Sequence, residues 1–151
     1  LLYDRALAAD KLGKFKILEQ DLRKLIKMKP ESAHAYNALG YSLAERGSQL
    51  PEALKLIKRA VELSPEDPYI MDSLGWVHYR MGNLVEGLNY LNLAFAARPD
   101  AEIAAHLGEV LWMKGAKEDA QNIWRFALEK DPDNEVLLET LQRLIKKKAV
   151  D

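Results

Sequence analysis

Residues 68–100, PYIMDSLGWVHYRMGNLVEGLNYLNLAFAARPD, decide the fold. Their landmarks are Met71, Leu74-Gly75, Gly82, Gly87, Ala94 and Pro99. Working outward, the landmarks recur. Gly13, Gly47, Gly82 and Gly115 are 34, 35 and 33 residues apart, and Pro30, Pro65, Pro99 and Pro132 are 35, 34 and 33 apart. Gly40, Gly75 and Gly108 form a third series with steps of 35 and 33. Scattered loop residues would not keep such a register, so the chain reads as a repeat array.

Each period predicts two helices. In residues 32–67, Ser32 is placed as an N-cap, and Tyr36, Leu39, Gly40 and Leu43 follow at helical spacing. Arg46-Gly47 ends that helix, because glycine accepts the left-handed conformation of helix ends. Pro51 suits the first turn of a second helix with the apolar stripe Leu50, Ala53, Leu54, Ile57, Ala60 and Val61. Ser64-Pro65 stops it, and Asp67 caps the next helix. Ala53, Gly87 and Ala120, with Ala60, Ala94 and Ala127, place small residues where paired helices approach. Glycine inside a helix costs ~1 kcal/mol relative to alanine, so its recurrence implies a packing gain.

This arrangement resembles the tetratricopeptide repeat (TPR) family. The resemblance implies an all-α, right-handed superhelical solenoid of about four antiparallel helix pairs plus a C-terminal capping helix. The array fills residues 1–151 as one domain, with repeats at about 1–32, 33–67, 68–100 and 101–134 and the cap at about 135–148. The first repeat is divergent or truncated, with Ala6 where glycine is expected and Leu18 where alanine is. In the cap, Val136, Leu137, Leu138, Leu141, Leu144 and Ile145 form the apolar stripe, and Glu139, Arg143 and Lys146-Lys147-Lys148 supply a polar outer face.

Composition excludes several functions. Lys plus Arg total 22 and Asp plus Glu 23, a net charge of −1, so nothing draws the chain toward nucleic acid. There is no cysteine, hence no disulfide, thiolate metal site or cysteine nucleophile. The longest run free of Asp, Glu, Lys, Arg and His, Gly87 to Ala97, has 11 residues, too few to span a bilayer. The opening Leu1-Leu2-Tyr3 reads as the start of a fragment.

No constellation supports catalysis. Gly40-Tyr41-Ser42-Leu43-Ala44 loosely matches a nucleophile elbow but lies within a helix, on an element that packing explains. His34, His78 and His106 fall on different repeats without metal-ligand spacing, and His78 occupies a core offset, where a buried, hydrogen-bonded histidine is expected. The carboxylate pairs Glu66-Asp67 and Glu118-Asp119 suit surface turns, and every glycine stands alone, so there is no phosphate loop. Neither catalytic residue, metal nor cofactor is expected.

The TPR resemblance implies binding on the concave face made by the first helix of each repeat. Offsets place His34, Asn37, Tyr41, Ala44 and Glu45 there in the second repeat, and Tyr69, Asp72, Trp76, Tyr79 and Arg80 in the third. The fourth adds Glu102, Ala105, Glu109, Trp112 and Met113 with His106 beside them, and the first adds Tyr3, Leu7, Asp10 and Lys11. Aromatics interspersed with polar groups are typical of peptide recognition. Tyr41 and Trp76, at mid-helix, are read as binding anchors, while Tyr79 and Trp112 either bind or pack between repeats. Some TPR proteins grip a terminal carboxylate here, but only Asn37 and Arg80 have that chemistry, and Asp72 and Glu109 would repel the ligand. The expected occupant is a protein segment with apolar anchors and a basic group that meets Asp72 and Glu109.

The resulting expectation is a non-enzymatic scaffold. Its alternative is a self-association module forming homo-oligomers through Leu1, Leu2 and Leu7 at the N-terminal end. Asp72-Ser73-Leu74-Gly75-Trp76, Arg80-Met81-Gly82 and residues 104–112 further resemble the C-terminal part of TPR lipoproteins of the proteobacterial envelope. Members of that group are thought to act as periplasmic scaffolds, some delivering substrates to a processing protease. That resemblance implies a periplasmic, outer-membrane-tethered parent protein, with the cytoplasm as the alternative.

Overall fold

Ser32, Asp67, Asp100 and Asn134 recur at repeat spacing, and each caps a helix through its side chain. They accept hydrogen bonds from the amides of Ala35, Tyr69, Glu102 and Leu137, at 3.3, 2.9, 2.8 and 3.0 Å. The second helix of each pair starts without such a cap. Its entry is set instead by the tight turn that joins it to its partner.

The structure, a computed structural model, describes residues 2–11 and 13–146, without the side chains of residues 7, 10, 11 and 146. The expectations placed on Leu1, Leu7, Asp10, Lys11 and the Lys146-Lys147-Lys148 run therefore lie outside the described residues. The helices are α1 (Leu2–Lys11), α2 (Phe15–Met28), α3 (Ala33–Arg46), α4 (Leu50–Leu63), α5 (Pro68–Arg80), α6 (Leu84–Ala97), α7 (Ala101–Lys114), α8 (Lys117–Lys130) and α9 (Glu135–Leu141). The chain continues from α9 into a π-helical turn, Gln142–Lys146. Among the described residues there is no strand, and no helix is long and apolar enough to cross a membrane.

Odd and even helices pair as antiparallel hairpins: α1 with α2, α3 with α4, α5 with α6 and α7 with α8. Gly47 and Gly115 end α3 and α7 with φ of 67° and 100°, conformations that a side chain would strain. The pairs close where side chains are absent. A Cβ on Gly75 would stand 2.7 Å from Leu91 Cγ and 2.9 Å from the Gly87 carbonyl, and one on Gly108 would fall 2.0 Å from Trp124 Nε1. Ala53, Ala60, Ala94, Ala120 and Ala127 are all buried at the same seams.

The pairs stack so that α3 touches α5, α5 touches α7 and α7 touches α9, while the even helices splay apart on the outside. The odd helices thus form an inner wall. The C-terminal helix departs from the expected cap. Leu137 and Thr140 are buried but Leu138 is 45% exposed, and Glu139 and Arg143 face the inner wall rather than the outer end. The cause is register, because α9 packs on α7 as the first helix of another repeat would.

Candidate functional site

Helices α3, α5 and α7 are each fixed by an even partner on one side and by the next odd helix along the wall. Two hollows adjoin on that wall. One is lined by Tyr3 from α1 and Leu18 from α2, by Asn37, Ala38, Tyr41 and Ser42 from α3, by Tyr69, Asp72 and Ser73 from α5, and by Glu102 from α7. The other is lined by Tyr41 and Glu45, Trp76, Glu102, His106 and Glu109, together with Val136, Glu139, Thr140 and Arg143. Tyr41 and Glu102 belong to both.

A polar network fills the space between them. His106 Nδ1 lies 2.9 Å from Asp72 Oδ1, its Nε2 lies 3.1 Å from the Tyr41 hydroxyl, and its ring stacks on Trp76 at 4.3 Å. Trp76 Nε1–H donates to Glu45 Oε2 at 3.0 Å. Burial on its own would lower the pKa of His106, but the charge and hydrogen bond of Asp72, with Glu102 and Glu45, push it up to about 9. The imidazole is therefore cationic at neutral pH, donating from both nitrogens and presenting its face to an indole. Burial raises Asp72, and the histidine opposes that rise. Burial also raises Tyr41, reinforced by the carboxylates of Glu45, Glu102 and Asp72. An imidazole that already holds its proton is no general base for a phenol pushed above its usual range. The Asp72–His106–Tyr41 chain thus holds a buried charge between three inner helices.

Several expectations need correction. Trp76 is not an exposed anchor: it is 3% exposed, because successive inner helices close over the largest side chain between them. Tyr41 is half-buried and lines both hollows, but its hydroxyl is held by His106. Asp72 and Glu109 do not await a ligand cation. Asp72 has His106, and Glu109 accepts from the Tyr79 hydroxyl at 2.9 Å and from Arg143. Arg80 leaves the groove to cap α3, donating to the Ala44 carbonyl at 3.1 Å. Trp112 packs on Trp124 of α8 at 5.6 Å, with Lys117 4.9 Å from its ring, and lines neither hollow. His34 is exposed at the start of α3, outside both hollows. Tyr69 is exposed on the rim and donates to Asp100 at 2.9 Å, while Asn37 is half-buried with its Oδ1 unbonded. His78 stacks on Tyr90 at 5.5 Å, but its buried Nδ1 has no hydrogen-bond partner, and burial lowers its pKa. Among the described residues, no group of three His, Asp or Glu side chains is placed to hold a metal ion.

The expected groove also lacked Ser42, Thr140, Glu139 and Arg143. The last two were detectable: carrying the 34-residue step past Ala105 and Glu109 reaches Glu139 and Arg143. Ser42 carried no such signal, since a helical serine beside a leucine is as readily an outer residue.

The repeat landmarks, the helical pairing and the inner wall have known counterparts. The family model described as tetratricopeptide repeat matches residues 3–68. A TPR repeat-containing protein of Pseudomonas aeruginosa is 49% identical over 109 residues, covering 72% of this chain and 18% of that protein. The chain is a tetratricopeptide repeat protein. The TPR stack superposes on a thermophilic TPR protein of Thermus thermophilus with a TM-score of 0.81 at 22% identity, over 95% of this chain and 80% of that one. An O-GlcNAc transferase from Thermobaculum terrenum matches with a TM-score of 0.69 at 27% identity, over 73% of this chain and 21% of that one. The TPR chain spans less than a fifth of the length of the curated relatives it matches. TPR folds are, in general, protein-interaction scaffolds.

Proposed function

We propose that this TPR array is a scaffold without chemistry of its own, holding an extended segment of another polypeptide along the wall of odd helices. The observation that carries this reading is the adjacency of the two hollows, which share Tyr41 and Glu102 and together reach from Tyr3 to Arg143. A small-molecule pocket is usually a single enclosed cavity, whereas these two hollows together draw on residues from five odd helices. Two aromatics, Tyr69 on the rim and Tyr41 where the hollows meet, can cover apolar side chains of the segment. The wall is also acidic. Glu45, Asp72, Glu102, Glu109 and Glu139 line it against His106 and Arg143.

The test is to pan a displayed library of random dodecapeptides on the chain and map the recovered peptides by amide chemical shifts. Shifts should concentrate in α3, α5 and α7. Recovery of no peptide, or shifts confined to α4, α6 and α8, would overturn the reading.

A further inference from the structure

The hollow between α3, α5 and α7 holds polar atoms that the fold leaves unsatisfied. Ser42 is 5% exposed, and its Oγ has no hydrogen-bond partner. Asn37 Oδ1, in the same wall, is likewise buried and unbonded. Helices normally dispose of such groups by exposing them or bonding them back to the chain, so two together are unusual. Asn37 Oδ1 is an acceptor only, and Ser42 accepts as readily as it donates. What they lack is a donor.

Glu102 has no ion-pair contact among the described residues, although it lies on the border of both hollows. Burial raises its pKa, with Asp72, Asp100 and Glu45 adding to the rise and His106 opposing it. The histidine's two N–H groups are already committed to Asp72 and Tyr41. A carboxylate is therefore held among other carboxylates, beside two empty polar atoms and the rings of Tyr41 and Tyr69. Tyr69 already shows that its face takes a cation, with the Arg98 guanidinium 5.7 Å from the ring centre. Leu18 and Ala38 give the same hollow an apolar lining on which a methylene stem can lie.

Resting on the groove reading above, we propose that this hollow is the receptor for one arginine or lysine side chain of the bound segment. The cation meets Glu102, its stem lies against Leu18 and Ala38, and rotation of the Asn37 and Ser42 side chains into the hollow brings Oδ1 and Oγ to its N–H groups. An acidic side chain would meet Glu102 with like charge, and a neutral apolar one would leave the acceptors empty. Arginine satisfies more of the separately placed acceptors than lysine, because its planar head carries five donors.

The peptides recovered by panning decide this. They are expected to share a basic residue whose replacement, by citrulline for arginine or norleucine for lysine, weakens binding at least tenfold. Glu102→Gln should weaken the basic peptide by a similar factor and leave the neutral peptide unchanged. The carboxylate is destabilised by its surroundings, so this variant should fold normally. Asn37→Ala provides a second, uncharged route to the same loss. Peptides that shift α3, α5 and α7 without a basic residue, or whose basic residue is indifferent to both variants, overturn this proposal and leave the groove reading standing. Recovery of no peptide on that wall overturns both.

Discussion

At His106 the fold holds a positive charge 2.9 Å from Asp72 and 4.3 Å from the centre of the Trp76 ring, in a setting where all three residues are buried. A group whose folded pKa stands above its unfolded value stabilises the fold most when both states are protonated. With about 9 in the fold against the ordinary 6.5, the contribution of His106 is complete below pH 6.5 and is lost as pH rises through 9. Asp72, raised by burial, acts with the same sign at lower pH. The full effect is about 3 kcal/mol. Thermal denaturation monitored by circular dichroism should show the melting temperature falling between pH 6.5 and 9.5, steeply enough to stand out from background titration. Asp72→Asn removes the main charge that holds the proton and leaves burial opposed only by the more distant charges of Glu102 and Glu45. It should cost about 3 kcal/mol at neutral pH and flatten most of the alkaline decline. A variant that keeps the same decline would show that some other group titrates.

The helix pairs depend on what their glycines omit. In the α5–α6 hairpin, Gly75 and Gly87 face each other, and a Cβ on Gly75 would meet the Gly87 carbonyl at 2.9 Å. Alanine favours a helix over glycine by ~1 kcal/mol, but backbone cannot yield as a side chain can, and overpacking costs about 1–3 kcal/mol. Gly75→Ala should therefore lower stability by about 1 kcal/mol in urea denaturation, whereas Gly82→Ala, with open space around its Cβ, acts only through its φ of 90°. These seams were legible because spacing alone exposes them: a glycine every 33 or 35 residues needs a recurrent cause. The hairpins and the inner wall followed from the same periodicity. The exposure of side chains on that wall did not. An offset says which side of a helix a residue takes, not how near the next inner helix comes, so Trp76 and Asp72 read as ligand groups when they are partners of Glu45 and His106. Arg80 was similarly misplaced, since its capping target, the end of α3, lies one repeat away and leaves no local pattern. Removing that cap with Arg80→Met should cost about 1 kcal/mol and increase hydrogen exchange at the last turn of α3 before any other.

Stacked repeats are coupled mainly to their neighbours, so local losses should spread inward from an end. This array adds polar links between inner helices: Trp76 to Glu45, Tyr79 to Glu109, and Tyr41 across to His106, which joins α3 to α7 past α5. Such a link ties non-adjacent repeats together and should make the centre unfold as one unit. The C-terminal end has less. Helix α9 has seven residues, Leu138 is exposed on it, and its polar hold on the wall is Arg143, which pairs with the buried Glu109 and with Glu139 at 3.0 Å. The hydrogen bond to Glu109 raises the guanidinium pKa further, so it is charged at every accessible pH. Arg143→Met keeps the stem but withdraws that charge, leaving Glu109 with the Tyr79 hydroxyl alone. The loss should be about 2 kcal/mol, smaller than for a fully buried pair because water reaches the guanidinium. Since it falls at the end of the stack, native-state hydrogen exchange should show α9 and the facing parts of α7 and α8 losing protection first. The amides of α3 to α5 should keep theirs, because the Tyr41–His106 link lies on the far side of the break. Equal loss of protection from α3 to α9 would instead show that the stack unfolds as a single unit and that α9 is integral to it.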